Sequence, residues 1–142
     1  MKVEGFYHVH LKAPYDEYFH LHADVEPDST YMEVVLTAMA LVAEHPDFPN
    51  KRRRKLVTFL TNESKLTLTY DNPEQYGVQF NVAIILCGHM EQLSEPQMLI
   101  TVVEKFVHHF WDVDDEIETA KLVASIIPGI RANEEGGYVL GA

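Results

Sequence analysis

One cysteine, Cys87, and one tryptophan, Trp111, are all that the 142 residues contain of either. A single thiol excludes an intrachain disulfide framework and fits a reducing compartment. Long apolar runs are also scarce. The longest candidate for membrane burial, residues 82–87, is far shorter than the roughly 20 residues of a helical span. Near the start, His8, His10, Lys12 and Asp16 interrupt the stretch that a signal peptide would use. A cytoplasmic location and no membrane partner are therefore expected.

Positive charge is the third shortage. Eleven Lys and Arg stand against 22 Asp and Glu, a formal net charge of −11. Such a field opposes nucleic acid and anionic membrane over most of the surface and attracts a basic partner. Signature motifs are missing as well. The chain has no Walker loop, dinucleotide glycine fingerprint, Gly-x-Ser-x-Gly elbow, CxxC pair or His-Glu-x-x-His helix. No organic cofactor is indicated.

An apolar fraction of 46% is ordinary for a globular protein, and the length fits one domain with a real core. Residues 7–12 alternate, with Tyr7, Val9 and Leu11 on one strand face and His8, His10 and Lys12 on the other. Beyond Pro14, residues 18–25 repeat the pattern, with His20, His22 and Asp24 opposite Phe19, Leu21 and Ala23. Two half-buried strands in a hairpin are expected. Thr30 followed by Glu33 fits a capping box, opening a helix over 31–45 that is apolar on almost all sides and ends at Pro46.

Residues 55–61 and 65–70 read as strands joined in a second hairpin by Asn62-Glu63-Ser64. The run 78–87 passes from alternation to continuous apolar character, which predicts a strand entering the sheet centre. Ser94 caps a helix with Pro96 in its first turn and Leu99, Val102 or Val103, Phe106 and Phe110 along its apolar face. A third helix opens within 112–118 on an apolar stripe of Ile117, Ala120, Ala124 and Ile127, and stops at Pro128-Gly129.

Two patches carry candidate chemistry. The first is the pair of His-x-His units. Imidazoles at i and i+2 on a strand point the same way, so His8, His10, His20 and His22 on adjacent strands can converge on a transition metal. His20-Leu21-His22 followed by Glu26 resembles the first metal motif of cupin barrels over seven residues. The glycines of that motif are missing, and three expected helices contradict its all-β barrel, so no family is assigned. The alternative for the four histidines is a solvated sheet face, or packing over the aromatic neighbours Phe6, Tyr18 and Phe19. The second patch is the basic run Lys51, Arg52, Arg53, Arg54 and Lys55. Five cations in series can grip phosphates, yet no aromatic residue interleaves them and the rest of the chain is acidic.

Cys87-Gly88-His89 places a thiol and an imidazole at strand spacing, but Cys87 follows four apolar residues and reads as a buried small hydrophobe. His108 and His109 are adjacent in a helix and point about 100° apart, so they do not form an i,i+4 metal pair.

The expected fold is α+β, an antiparallel or mixed sheet of about five strands covered on one side by three helices. It forms one domain over residues 1–142, with 130–142 as an edge strand or frayed tail. The leading functional expectation is a small acidic interaction or inhibitor protein that binds a basic protein partner. The alternatives are nucleotide or other phosphate-ligand binding at 51–55, and a metal-dependent enzyme using the N-terminal histidines. A symmetric homodimer is also expected, because the 31–43 helix with Phe106, Phe110 and Trp111 exceeds what a thin α+β core hides.

Overall fold

A computed structural model describes residues 2–49, 54–69 and 80–141. The protein is α+β, with three α-helices and eight strands among the described residues. The chain gathers into two compact units, one of Met1–Met32 with Arg54–Glu91 and one of Glu33–Arg53 with Gln92–Ala142.

The first unit is built on a mixed four-stranded sheet. Strands β2 (Tyr7–Val9) and β3 (Phe19–Ala23) form the expected antiparallel hairpin, with His8 opposite His22. Strand β4 (Leu56–Thr61) lies parallel to β3, and β6 (Asn81–Leu86) lies parallel to β4. The strand order is β2-β3-β4-β6. Outside it, β1 (Lys2–Val3) pairs with β5 (Leu68–Thr69).

Two strand expectations are corrected here. Residues 55–61 and 65–70 do not form a hairpin, because β4 takes β3 and β6 as neighbours while β5 pairs with β1. All six residues of β4 are buried, and the strand has a neighbour on each edge. The second correction concerns β6, which among the described residues lies at the sheet edge, with Val82 and Ile84 each 44% exposed. Its continuous apolar run does not mark the centre of the sheet.

Register divides the sheet into two faces. On one, Phe19, Leu21 and Ala23 stand beside Leu56, Thr58 and Leu60, and all six are buried. On the other, His20 faces Val57 and His22 faces Phe59. Val3, Val57 and Phe59 form a small core on which Phe6, Leu66 and Leu68 pack. This face therefore grades from exposed imidazoles on β2 to an apolar cluster over β4.

The second unit carries most of α1 (Thr30–Glu44), with α2 (Glu95–Phe110), α3 (Glu116–Ile126) and a hairpin of β7 (Ile130–Ala132) and β8 (Tyr138–Leu140). Ser29 rather than Thr30 supplies the hydroxyl at the start of α1, accepting from the Met32 amide at 3.2 Å. Ser94 caps α2 in a full capping box with Gln97. Asp115 caps α3 by accepting from the Glu118 amide. Ala120 in α3 and Ile127 at its end are buried as expected, Thr119, Val123 and Ile126 are buried as well, and Ile117 is exposed. Residues 130–140 are an ordered hairpin, turned by Asn133, whose Oδ1 accepts from the Glu135 and Gly137 amides. Gly136 supplies the left-handed φ of +86° at this turn, with Glu116 close against it.

Phe106 and Phe110 are buried within the chain, so the expected homodimer loses their support. Among the described residues, no helix is long and apolar enough to cross a membrane.

Candidate functional site

Alternation on β2 and β3 sends His8, His20 and His22 to one sheet face, and the hairpin register, with His10 just after the end of β2, brings the four together around His8. Its ring centroid lies 5.2 Å from His10, 6.0 Å from His20 and 5.4 Å from His22. His8 and His10 are exposed, His20 is half-buried and His22 is 8% exposed. The His22 ring stacks on Phe59, and its buried Nε2 has no hydrogen-bond partner among the described residues.

Lys55, at the entrance to β4, reaches back across the sheet to place its Nζ 3.4 Å from His20 Nε2. An ammonium has only protons to offer, so this contact puts the lone pair of His20 on Nε2 and its proton on Nδ1. Burial lowers the His20 pKa, and the charge of Lys55 lowers it further. Burial also lowers His22, to about 4, with His8 and then His20 adding to the effect. Both imidazoles on β3 are therefore neutral at neutral pH. An open cleft of about 220 Å³ lies at this end of the sheet, with His8, His10, His20, Lys55 and Asp16 on its walls.

Of the basic run, Arg54 and Lys55 are described and exposed. Lys51, Arg52 and Arg53 lie outside the described residues. The structure thus joins one end of the basic run to the histidine patch, two features that stand far apart in sequence. Among the described residues, no group of three His, Cys, Asp or Glu is arranged to hold a metal ion. The ammonium beside His20 Nε2 also opposes a cation at that atom.

The remaining reactive groups are engaged elsewhere. Cys87 is fully buried in a short 3₁₀ turn, Cys87–Met90, and burial, reinforced by the charge of Asp24, pushes its thiol up to about 11. It is a core residue, whereas His89 beside it is exposed. His108 is bound at Nδ1 to the Val113 carbonyl at 2.6 Å. In the second unit, His45 Nε2 approaches Ser125 Oγ at 3.1 Å, a pair that sequence reading did not find across 80 residues. It does not activate the serine. His45 Nδ1 accepts the Asp47 amide, which leaves the ring proton on Nε2, so the imidazole donates to Ser125 and cannot take its proton. Ser125 passes its own proton to the Leu122 carbonyl at 2.6 Å.

Set against models of known protein families, curated proteins and solved structures, the chain matches none of them. The functional reading therefore rests on the site itself.

Proposed function

We propose that this protein binds a small anionic ligand, a phosphate-bearing molecule, in the cleft walled by His8, His10, His20 and Lys55. The observation that carries this reading is the Lys55 ammonium held 3.4 Å from His20 Nε2. A neutral imidazole nitrogen is a weaker acceptor for an ammonium than a phosphoryl oxygen, with which it makes a charge-assisted bond. An arriving anion takes over Lys55, and the imidazoles around it can donate N–H groups or become protonated.

Titration with sulfate, whose charge is constant across the histidine range, tests this reading. Anion binding raises the pKa of the imidazoles it touches, so affinity should be greatest at low pH and fall as pH rises through their bound-state values. Replacing Lys55 by Met should weaken binding about tenfold or more. Sulfate binding of equal strength before and after that substitution would remove the cleft from the functional account.

A second reading, an acidic interaction or inhibitor protein for a basic partner, is favoured by one feature of the second unit. Gly136 packs beside Glu116, which brings the exposed Glu134 and Glu135 to the acidic start of α3, where Asp114, Asp115, Glu116 and Glu118 are also exposed. Reversing Asp114, Glu134 and Glu135 to Lys should slow association with a basic protein and flatten its salt dependence. Unchanged rates would reject it. Light scattering at low micromolar concentration tests the homodimer, which a mass near 16.3 kDa would exclude.

A further inference from the structure

We infer that the cleft, if it binds phosphate as proposed above, also hydrolyses one ester bond of a phosphodiester: His20 and His8 act as general base and general acid on a small phosphodiester held by Lys55. His8 lies diagonally across the ladder from His20, because His8 pairs with His22 and His20 stands two residues earlier on the same face. Their ring centroids are 6.0 Å apart, and both rings wall the same cleft as Lys55. A phosphoryl group entering that cleft meets an imidazole from each strand and an ammonium from the third.

The free state explains how the base is held ready. His20 Nε2 carries a lone pair, kept neutral by burial and by Lys55, but that lone pair is occupied by the lysine proton. Transfer of the ammonium to a phosphoryl oxygen frees Nε2 beside the reacting phosphorus. Ligand arrival and base activation are the same event.

The reaction is hydrolysis. His20 Nε2 takes a proton from water as the water oxygen forms a bond to phosphorus. The bond from phosphorus to the ester oxygen breaks with its electron pair on that oxygen, which receives a proton from the imidazolium of His8. One phosphomonoester and one alcohol, or a single ring-opened monoester from a cyclic substrate, are the products. Proton exchange with solvent restores both rings. Lys55 offsets the charge on the non-bridging oxygens as it builds in the transition state.

The substrate class follows from size and field. A cleft of about 220 Å³ suits one phosphodiester with a small neighbouring group. The net charge of −11 opposes a polyanion, whose affinity depends on many phosphate contacts. A nucleoside cyclic phosphodiester or a compound of that size is therefore expected, and a nucleic-acid polymer is not.

Incubation of the full chain with a nucleoside 2′,3′-cyclic phosphate, followed by phosphorus NMR, tests the inference, with inorganic phosphate titrated in parallel. Monoester should form faster than in buffer, at a rate that falls at low pH as His20 is protonated, with His8, His10, His22, Lys55 and Asp16 the titratable or charged groups around it. His20→Asn and His8→Asn should each lower kcat by ~10²-fold or more while phosphate still binds, and Lys55→Met should both raise KM and lower kcat, because the ammonium holds the anion and also offsets the charge that builds in the transition state. His8 is exposed, so His8→Asn carries the test should His20→Asn disturb folding. Phosphate binding without monoester formation would overturn the inference and leave the binding reading standing, whereas failure to bind phosphate overturns both. Turnover that survives both histidine substitutions, or that a chelator abolishes and a divalent metal restores, would also overturn it.

Discussion

The imidazole of His22 stacks on the ring of Phe59, centroids 5.4 Å apart and planes 20° from parallel, while its buried Nε2 meets no hydrogen-bond partner among the described residues. A polar ring thus occupies the border of an apolar cluster that includes Val3, Val57 and Phe6. A buried polar atom without a partner costs about 1–3 kcal/mol. Replacing His22 by Phe should therefore keep or raise the urea midpoint, since shape is retained and the orphaned nitrogen is removed. A loss of more than about 2 kcal/mol would show that the nitrogen is satisfied in solution.

The same residue sets a pH dependence. Its folded-state pKa of about 4 lies below the ordinary 6.5, so the unfolded chain binds the proton more readily. The stability tied to neutral His22 is present above pH 6.5 and is lost as the pH falls from there toward 4. The loss is up to about 3 kcal/mol. Urea titrations at stepped pH should show this slope in the wild type and its reduction in His22→Phe.

Thr61 donates to Asp24 Oδ2 at 2.5 Å and accepts the Glu63 amide at 2.8 Å, while Asp24 Oδ1 is buried without a partner among the described residues. Thr61→Val removes both bonds and leaves the carboxylate worse satisfied, so a loss of about 2–3 kcal/mol is expected. Thr61→Ser, which keeps the hydroxyl, should recover most of it. Equal unfolding midpoints for the two variants would contradict this account.

Glu104 on α2 and Tyr138 on β8 are joined by a side-chain hydrogen bond. Burial raises the pKa of both, and for the tyrosine the carboxylate charge raises it further. Because the Glu104 pKa lies above its ordinary 4.5, its contribution to stability is full below that pH and declines as pH rises through the raised value. Tyr138→Phe should cost about 1–2 kcal/mol at pH 8, where the phenol serves an ionised carboxylate, and less at pH 4. Thermal unfolding of both proteins at the two pH values checks the difference.

Cys87 should not react with an aromatic disulfide reagent in the native protein at pH 8, because it is buried and its thiol is pushed up to about 11. One thiol per chain should appear on unfolding. Rapid native labelling would mean that the turn after β6 opens readily.

Local chemistry settled much of this protein in advance of its fold. Alternation placed His8, His10, His20 and His22 on one strand face each, and Pro14 with the polar residues after it marked the turn between them. Ser94 and Pro96 marked the start of α2, because a capping hydroxyl and a tolerated proline act within a single helical turn. The buried nature of Cys87 was readable from the apolar residues before it. None of these features depends on a distant partner.

Strand pairing does depend on one, and there the sequence was ambiguous. Leu-Val-Thr-Phe-Leu-Thr has the same preference for extension whether it forms half of a hairpin or the middle of a parallel sheet. Only the tertiary structure put β3 and β6 on its two sides and sent β5 to β1. The apolar run of β6 likewise carries no record of which edge it takes. The candidate site was divided in the same way. Its imidazoles come from a local hairpin, but its ammonium comes from Lys55, 35 positions after His20, delivered by the parallel pairing of β4 with β3. Short-range patterning selects which face a side chain takes. Which side chains meet across a sheet is decided by long-range hydrogen bonding and burial, to which no local periodicity corresponds.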